Sequence, residues 1–307
     1  MSTSVTTGPA TVFSDTRAVL AESIVWDPSA QLLRWTDITL GTLVTAQSDG
    51  TVVSTVPLPP PLASFQPRAS GGFVAALGDT VVVTDEHGVV ERELTRVEHA
   101  TAGLRFNEGK CDPFGRFLVG SMNLTTGEPD GALYSVEADG TTRLLRGGFG
   151  VTNGFEWSDD GRTVYVTDTP VKTVYRASYG EDGRLGPLEP FLVNYDSDGL
   201  ALDTDGRFWN GVSGSGTVLC WSPEGAVEDH LAVPVPNVTS VAFGGPDLST
   251  LFVGTAREGL DEDQLERAPL SGAIFRFDGL ATGRPVGVYG ARAAAPRPTS
   301  GTTGQED

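Results

Sequence analysis

The sequence predicts an all-β protein, a six-bladed β-propeller with four antiparallel strands per blade, and three observations predict it. Short β-branched and aromatic runs recur, long stretches of helical periodicity are missing, and 39 Gly and 20 Pro punctuate the chain. One turn is used repeatedly ahead of an apolar strand: Asp27-Pro-Ser-Ala before QLLRWTDI, Asp112-Pro-Phe-Gly-Arg before FLVGSM, Ser158-Asp-Asp-Gly-Arg before TVYVTDT, and Asp203-Thr-Asp-Gly-Arg before FWNGV. The position five residues before each turn is polar in every copy: Glu22, Ser64, Asn107, Asn153, Asp198 and Ser240, spaced by 42, 43, 46, 45 and 42 residues. That period fits blades of four short strands.

Each element follows from local chemistry. Asp bonds its own backbone and Gly accepts positive φ, so the repeated turns are tight hairpins between packed strands. Two weaker copies, Ala69-Ser-Gly-Gly72 before FVAAL and Gly245-Pro-Asp-Leu before STLFVGTA, complete the six. Closure requires the last blade to take a strand from the other end of the chain, and the segment Thr16 to Leu20 is the expected partner of late strands such as AIFRFD or VGVYG. The expected organisation is a flexible extension over residues 1–14, one propeller over 15–290, and a disordered small, polar, Pro/Gly-rich tail over 291–307.

The formal charge of −19, from 40 Asp and Glu against 21 Lys and Arg, argues against nucleic acid and anionic membrane as partners and leaves small neutral molecules and cations. No apolar stretch approaches the roughly 18 residues that span a bilayer, and MSTSVTTGPATVFSDTR lacks the order of a secretory signal. A cytoplasmic location is expected. The two cysteines, Cys111 and Cys220, stand far apart without a CxxC pair, which predicts reduced, half-buried thiols.

In a propeller, residues at one phase of the repeat meet as a ring around the channel. Turn formation accounts for Ser64 and Ser240. It does not account for Glu22 or Asp198, each set before apolar residues where a lone carboxylate is costly unless it is paired or binds a cation. With the amide oxygen of Asn153 they make a hard-oxygen set suited to one divalent ion, Ca²⁺, Mg²⁺, Mn²⁺ or Zn²⁺, with positions left for water and a substrate carbonyl. Arg105 lies two residues before Asn107 on the same strand face, so both are expected to meet a ligand in the channel. Other chemistries lack their motifs. His87, His99 and His230 are isolated, GVSGSG at 211–216 fails as a nucleophile elbow, Asp196-Ser-Asp198-Gly fails as an EF-hand, and Gly147-Gly-Phe-Gly150 fails as a dinucleotide loop.

The segments AESIVWDPSAQLLRWTDI, RFNEGKCDPFGRFLVGSM, GALYSVEADG, VTNGFEWSDDGRTVYVTDT, DSDGLALDTDGRFWNG and TSVAFGGPDLSTLFVGTA resemble the successive motifs of the senescence marker protein, regucalcin and gluconolactonase family, across residues 17 to 290. The resemblance implies a six-bladed propeller with one divalent cation that hydrolyses sugar lactones to aldonic acids. It implies Glu22, Asn153 and Asp198 as metal ligands, Asp198 also as general base, and Arg105 and Asn107 as substrate contacts. Vertebrate relatives carry a longer acidic lid with a Glu that reaches the substrate. Here the shorter Asn123-Leu-Thr-Thr-Gly-Glu-Pro-Asp130 stands in its place, Glu128 is no secure equivalent, and Asn123 is the candidate for that contact. The competing readings are a nonenzymatic calcium-binding or scaffold propeller, and a hydrolase of another ester, an organophosphate or a non-sugar lactone, at the same metal.

Overall fold

A computed structural model describes residues 9–99, 101–123, 126 and 128–291. They form six four-stranded antiparallel sheets, each stepping outward by hairpins from an inner strand. The inner strands of blades 1 to 6 are Ala21–Asp27, Leu62–Pro67, Leu104–Cys111, Thr152–Trp157, Ser197–Leu202 and Val238–Gly244. The turn chemistry is as expected: Asp112 Oδ1 accepts the N–H groups of Phe114 and Arg116, and Asp203 Oδ1 those of Asp205 and Arg207, before Gly115 and Gly206 turn the chain at φ 87° and 80°. No helix among the described residues is long and apolar enough to cross a membrane.

The apolar core is divided into six layers, each between neighbouring blades. Trp35 and Phe252 lie between blades 1 and 6, Phe106 and Phe117 between blades 2 and 3, and Phe155 and Leu133 between blades 3 and 4. Each such side chain contributes roughly 1.5–3 kcal/mol when fully buried. Burial fades outward: Phe73–Leu77 in blade 2 is buried throughout, whereas the blade 1 outer strand Val52–Pro57 is almost entirely exposed. Both cysteines sit within these layers, fully buried and free rather than half-buried, and burial raises both thiols.

The ring closes through Thr11–Ser14, which pairs antiparallel with Ile274–Asp278 as the outermost strand of blade 6. This corrects the expected partner, Thr16 to Leu20, and places residues 11–14 inside the propeller. Asp15 to Leu20 are needed as a crossing: reaching the channel from the outer edge means passing three strand spacings, roughly 14 Å, which takes most of six extended residues. VGVYG is no blade strand either. Residues 282–290 run beneath the turn ends of the blades: Gly283 N–H bonds Leu248 O in blade 6, Thr282 O accepts from Thr204 in blade 5, Arg284 pairs with Asp159 in blade 4 at 2.7 Å, Gly290 N–H bonds Gly115 O in blade 3, and Tyr289 bonds Pro67 and Ala69 in blade 2. Of the expected tail over 291–307, residues 292–307 lie outside the described residues, as do residues 1–8.

The feature that builds the site is a bulge in every inner strand. The register slips between Glu22 and Val25, Leu62 and Ser64, Phe106 and Gly109, Asn153 and Phe155, Ser197 and Leu200, and Val238 and Val241. The six polar phase positions all fall within or at the edge of these slips. A bulge breaks the alternation of side chains and re-aims them. Second-strand side chains cap the freed carbonyls: Thr36 donates to Glu22 O, Thr167 to Gly154 O and Asn210 to Gly199 O. Ser23 holds φ at 51°, a region costly for a side chain, while its hydroxyl bridges to the Phe65 backbone in blade 2.

Gly154 marks a close backbone approach of two inner strands, since a Cβ there would lie 2.5 Å from Leu200 N and 2.7 Å from Asp198 O. Gly154→Ala is therefore expected to destabilise the fold by about 1–3 kcal/mol. Gly147→Ala, where a Cβ meets nothing within 4 Å, should stay within about 0.5 kcal/mol of the parent. Denaturant melts of the two variants check the contrast.

Candidate active site

The bulges bring Glu22, Asn107, Asn153 and Asp198 to the channel from blades 1, 3, 4 and 5, with Glu22, Asn153 and Asp198 second in their inner strands and Asn107 fourth, opposite the face that residues 282–290 cover. A hydrogen-bond relay fixes the amides. Arg105 Nη1 donates to Asn107 Oδ1 at 2.7 Å, Asn107 Nδ2 to Asn153 Oδ1 at 2.8 Å, Asn153 Nδ2 to Thr169 Oγ1 at 2.9 Å, and Thr169 Oγ1 to Ser197 O at 2.6 Å. Asn107 Nδ2 also donates to Thr152 O at 3.0 Å. The relay runs in one direction across three blades and ends on the residue before Asp198. It leaves Asn153 Oδ1 with a second lone pair, because a carbonyl oxygen accepts twice.

The carboxylates have far less support. Asp198 is 9% exposed, and its Oδ1 is buried without a hydrogen-bond partner. Burial, then Asp198 and then Glu108, hold the Glu22 carboxyl well above the usual range, against the weaker opposing pull of the Ser23 N–H and Arg105. Burial and then Glu108 do the same to Asp198. Glu108 itself keeps some surface open to the channel, yet burial pushes it up to about 7 against the pull of Lys110 and the Gly109 N–H, with Glu156 adding to the rise. Lys110 is paired with Glu156. When ionised, Glu22, Glu108, Glu156 and Asp198 carry two negative charges more than Arg105 and Lys110 offset, in a desolvated space. One divalent cation would balance them.

The donor set fits such an ion as a mixed one. Among the described residues no three His, Cys, Asp or Glu side chains group closely enough to hold a metal by themselves. With Glu22 and Asp198 the Asn153 amide oxygen would complete a set of three, and the orphaned Asp198 Oδ1 is what a cation would satisfy.

Arg105 is the other unusual group. It is 8% exposed, burial lowers its pKa, and no carboxylate lies within 4 Å of it among the described ion pairs. It also forms one wall of an open groove of about 770 Å³ on the mouth side, shared with Gly78, Asp79, Arg96 and His99.

Comparison with known proteins decides the family. The family model described as SMP-30/Gluconolactonase/LRE-like region matches residues 20–257. The chain belongs to that family. It is 36% identical to a 6-deoxy-6-sulfogluconolactonase of Pseudomonas putida, over 84% of this chain and 90% of that protein. It is 33% identical to a pentonolactonase of Haloferax volcanii, over 88% and 94%, and 31% identical to the regucalcin of Xenopus laevis, over 85% and 91%. Among solved structures it superposes on a calcium-binding regucalcin from Agrobacterium tumefaciens with a TM-score of 0.86 at 26% identity, covering 92% of this chain and 97% of that one.

Family membership sharpens the question of the lid. Asn123 is buried and bonds within its own loop: Nδ2 donates to Asp130 at 3.0 Å and Oδ1 accepts the Thr126 N–H at 3.0 Å. Asp130 also accepts from Thr101 across to the neighbouring loop. Asn123 therefore shapes the loop, and Glu128 stands exposed on it. Residues 124, 125 and 127 lie outside the described residues. The histidines play no part at the ring: His87 is on an exposed turn, His99 packs edge-on against Phe106 and Tyr134, and His230 lies on an outer strand. Ser240 accepts the Ile24 N–H and so joins blades 6 and 1, whereas the Ser64 hydroxyl is fully buried without a hydrogen-bond partner among the described residues.

Glu108 is the site residue that counting by phase missed. The signal was present as a second polar residue directly after Asn107, which a regular strand would point away and the bulge between Phe106 and Gly109 does not.

The raised carboxyls fix the sign of a pH effect. The metal-free folded state binds more protons than the unfolded chain, so its stability falls as pH rises from about 4 through the raised values. A divalent cation removes that penalty, and the rise in Tm on adding one should be larger at pH 8 than at pH 5. Asp198→Asn should raise the Tm of the metal-free protein at pH 8 by a few degrees and shrink the metal-induced rise. Thermal melts with and without chelator measure both.

Proposed function

We propose that this chain is a lactonase that opens a sugar lactone of the gluconolactone type to its aldonic acid, at one divalent cation held by Glu22, Asn153 and Asp198. The observation that carries the reading is Arg105. An ion serving only to tie blades together needs no buried guanidinium beside it, whereas a site that gathers negative charge on a reacting oxygen does. The relatives named as sugar lactonases support the substrate class.

A divalent cation, when bound, supplies Lewis acidity that polarises the lactone carbonyl and eases ionisation of water. The chain's own residues do the rest. Asp198 accepts a proton from the water as its oxygen adds to the carbonyl carbon. Arg105 stabilises the oxygen that gains charge, and the relay through Asn107 and Asn153 holds it in place without reorganisation. Collapse breaks the ring C–O bond, and the proton on Asp198 passes to the departing ring oxygen. The product acid then ionises, which makes proton release a direct assay. The ligand set admits Ca²⁺, Mg²⁺, Mn²⁺ and Zn²⁺ alike.

Asp198→Ala should abolish metal-dependent hydrolysis. Arg105→Ala should lower kcat/KM by about 10²–10³ with the metal-induced rise in Tm retained. Indicator assays across a panel of aldonolactones, each with the four ions, test this. No hydrolysis by the parent protein anywhere in the panel contradicts the reading.

A further inference from the structure

The segment that carries the chain from blade 2 to blade 3 is pinned at both ends. Val97 N–H bonds Asp79 O at 2.9 Å, and Phe106 N–H bonds Gly78 O at 2.7 Å. His99 is seated edge-on against Phe106 and Tyr134. That leaves Thr101, Ala102 and Gly103, all exposed, and the Thr101 hydroxyl makes the bond that, among the described hydrogen bonds, ties them to another loop. It donates to Asp130 Oδ2 at 3.0 Å, and the same oxygen accepts Asn123 Nδ2 at 3.0 Å. Asp130 is held in turn by its own N–H, which bonds Glu128 O at 2.8 Å.

This clasp lies beside Arg105. In the ladder between Leu104–Cys111 and Phe117–Asn123, Leu104 opposes Asn123 and Arg105 opposes Met122. The two segments that Asp130 joins therefore leave the sheet at its last rung, one residue from Arg105. Residues Thr101 to Arg105 form one continuous wall of the groove of about 770 Å³, a volume that suits a small ligand. One end of that wall is the guanidinium that the relay ties to Asn107 and Asn153. The other end is fixed from outside, by Asp130.

We propose that Asp130 is a positioning residue for lactone binding, which by clasping Thr101 to Asn123 holds the groove wall Thr101–Arg105 in its binding shape before a substrate arrives. This role rests on the lactonase reading above. A hydrogen bond between an exposed hydroxyl and a half-buried carboxylate adds little to net stability. A preformed wall, by contrast, spares the substrate the cost of ordering it, so the clasp acts on affinity. Among the described contacts Asp130 bonds neither to Arg105 nor to Glu22, Asn153 or Asp198, which leaves the chemical step untouched.

The measurement is kcat and KM, taken separately, for the aldonolactone that the parent protein hydrolyses best. Asp130→Ala should raise KM about fivefold, with kcat within about twofold of the parent and Tm within a few degrees. Thr101→Val, which removes one of the two donors, should raise KM by less. Asp130→Asn should keep KM near the parent value, because an amide oxygen also accepts twice. An unchanged KM in Asp130→Ala, a fall in kcat as large as the rise in KM, or no rescue by Asp130→Asn overturns the clasp and leaves the lactonase reading intact. A parent protein that hydrolyses no aldonolactone overturns both.

Discussion

A sheet that is apolar on both faces must be covered on both, and six such sheets satisfy one another only by closing into a ring. Nearly everything else in the molecule follows from that closure. The apolar layers lie between blades, so none is left for the axis, and the four residues Thr11–Ser14 must return to pair with Ile274–Asp278 or blade 6 ends in an open edge. The axis is consequently lined by whatever the inner strands point inward, and a bulge in each strand decides which residues those are. At Ser23 and Gly154 the backbone is forced into a strained or crowded geometry to do so.

What the axis receives is a charge problem. Three carboxylates whose proton affinity is raised first by burial and then by neighbouring carboxylates, together with the Lys110–Glu156 pair and a buried guanidinium that makes no ion pair within 4 Å among the described residues, form an arrangement that is poor for stability in the absence of a ligand. The relay from Arg105 through Asn107 and Asn153 to Thr169 is by contrast hydrogen-bonded at every step. The hydrogen-bonded amides orient, and the frustrated carboxylates would bind. That division is what a preorganised electrostatic site requires.

The parts legible in the sequence are those written locally. The Asp-and-Gly turns announce themselves residue by residue, and because each sits a fixed distance after its bulge, counting back from them isolates Glu22, Asn107, Asn153 and Asp198 without any structure. Arg105 follows from strand alternation. The rest depends on geometry that local chemistry does not encode. Glu108 escapes a count that assigns one residue to each strand, since only the bulge turns two neighbours inward. TVFS is a strand because of what lies beside it, not because of its four residues. Asn123 reads as a ligand contact by position, while its bonds to Asp130 and Thr126, which anchor the loop, depend on how that loop folds.

The account stands or falls on a single ion at a mixed carboxylate and amide site. The most direct measurement is anomalous scattering from crystals of the metal-stripped protein soaked in Mn²⁺. It should show one strong peak in the channel, within coordination distance, about 2.0–2.6 Å, of oxygens from Glu22, Asn153 and Asp198. A peak elsewhere with that site empty, or no peak at saturating Mn²⁺ while lactone hydrolysis persists, would contradict it.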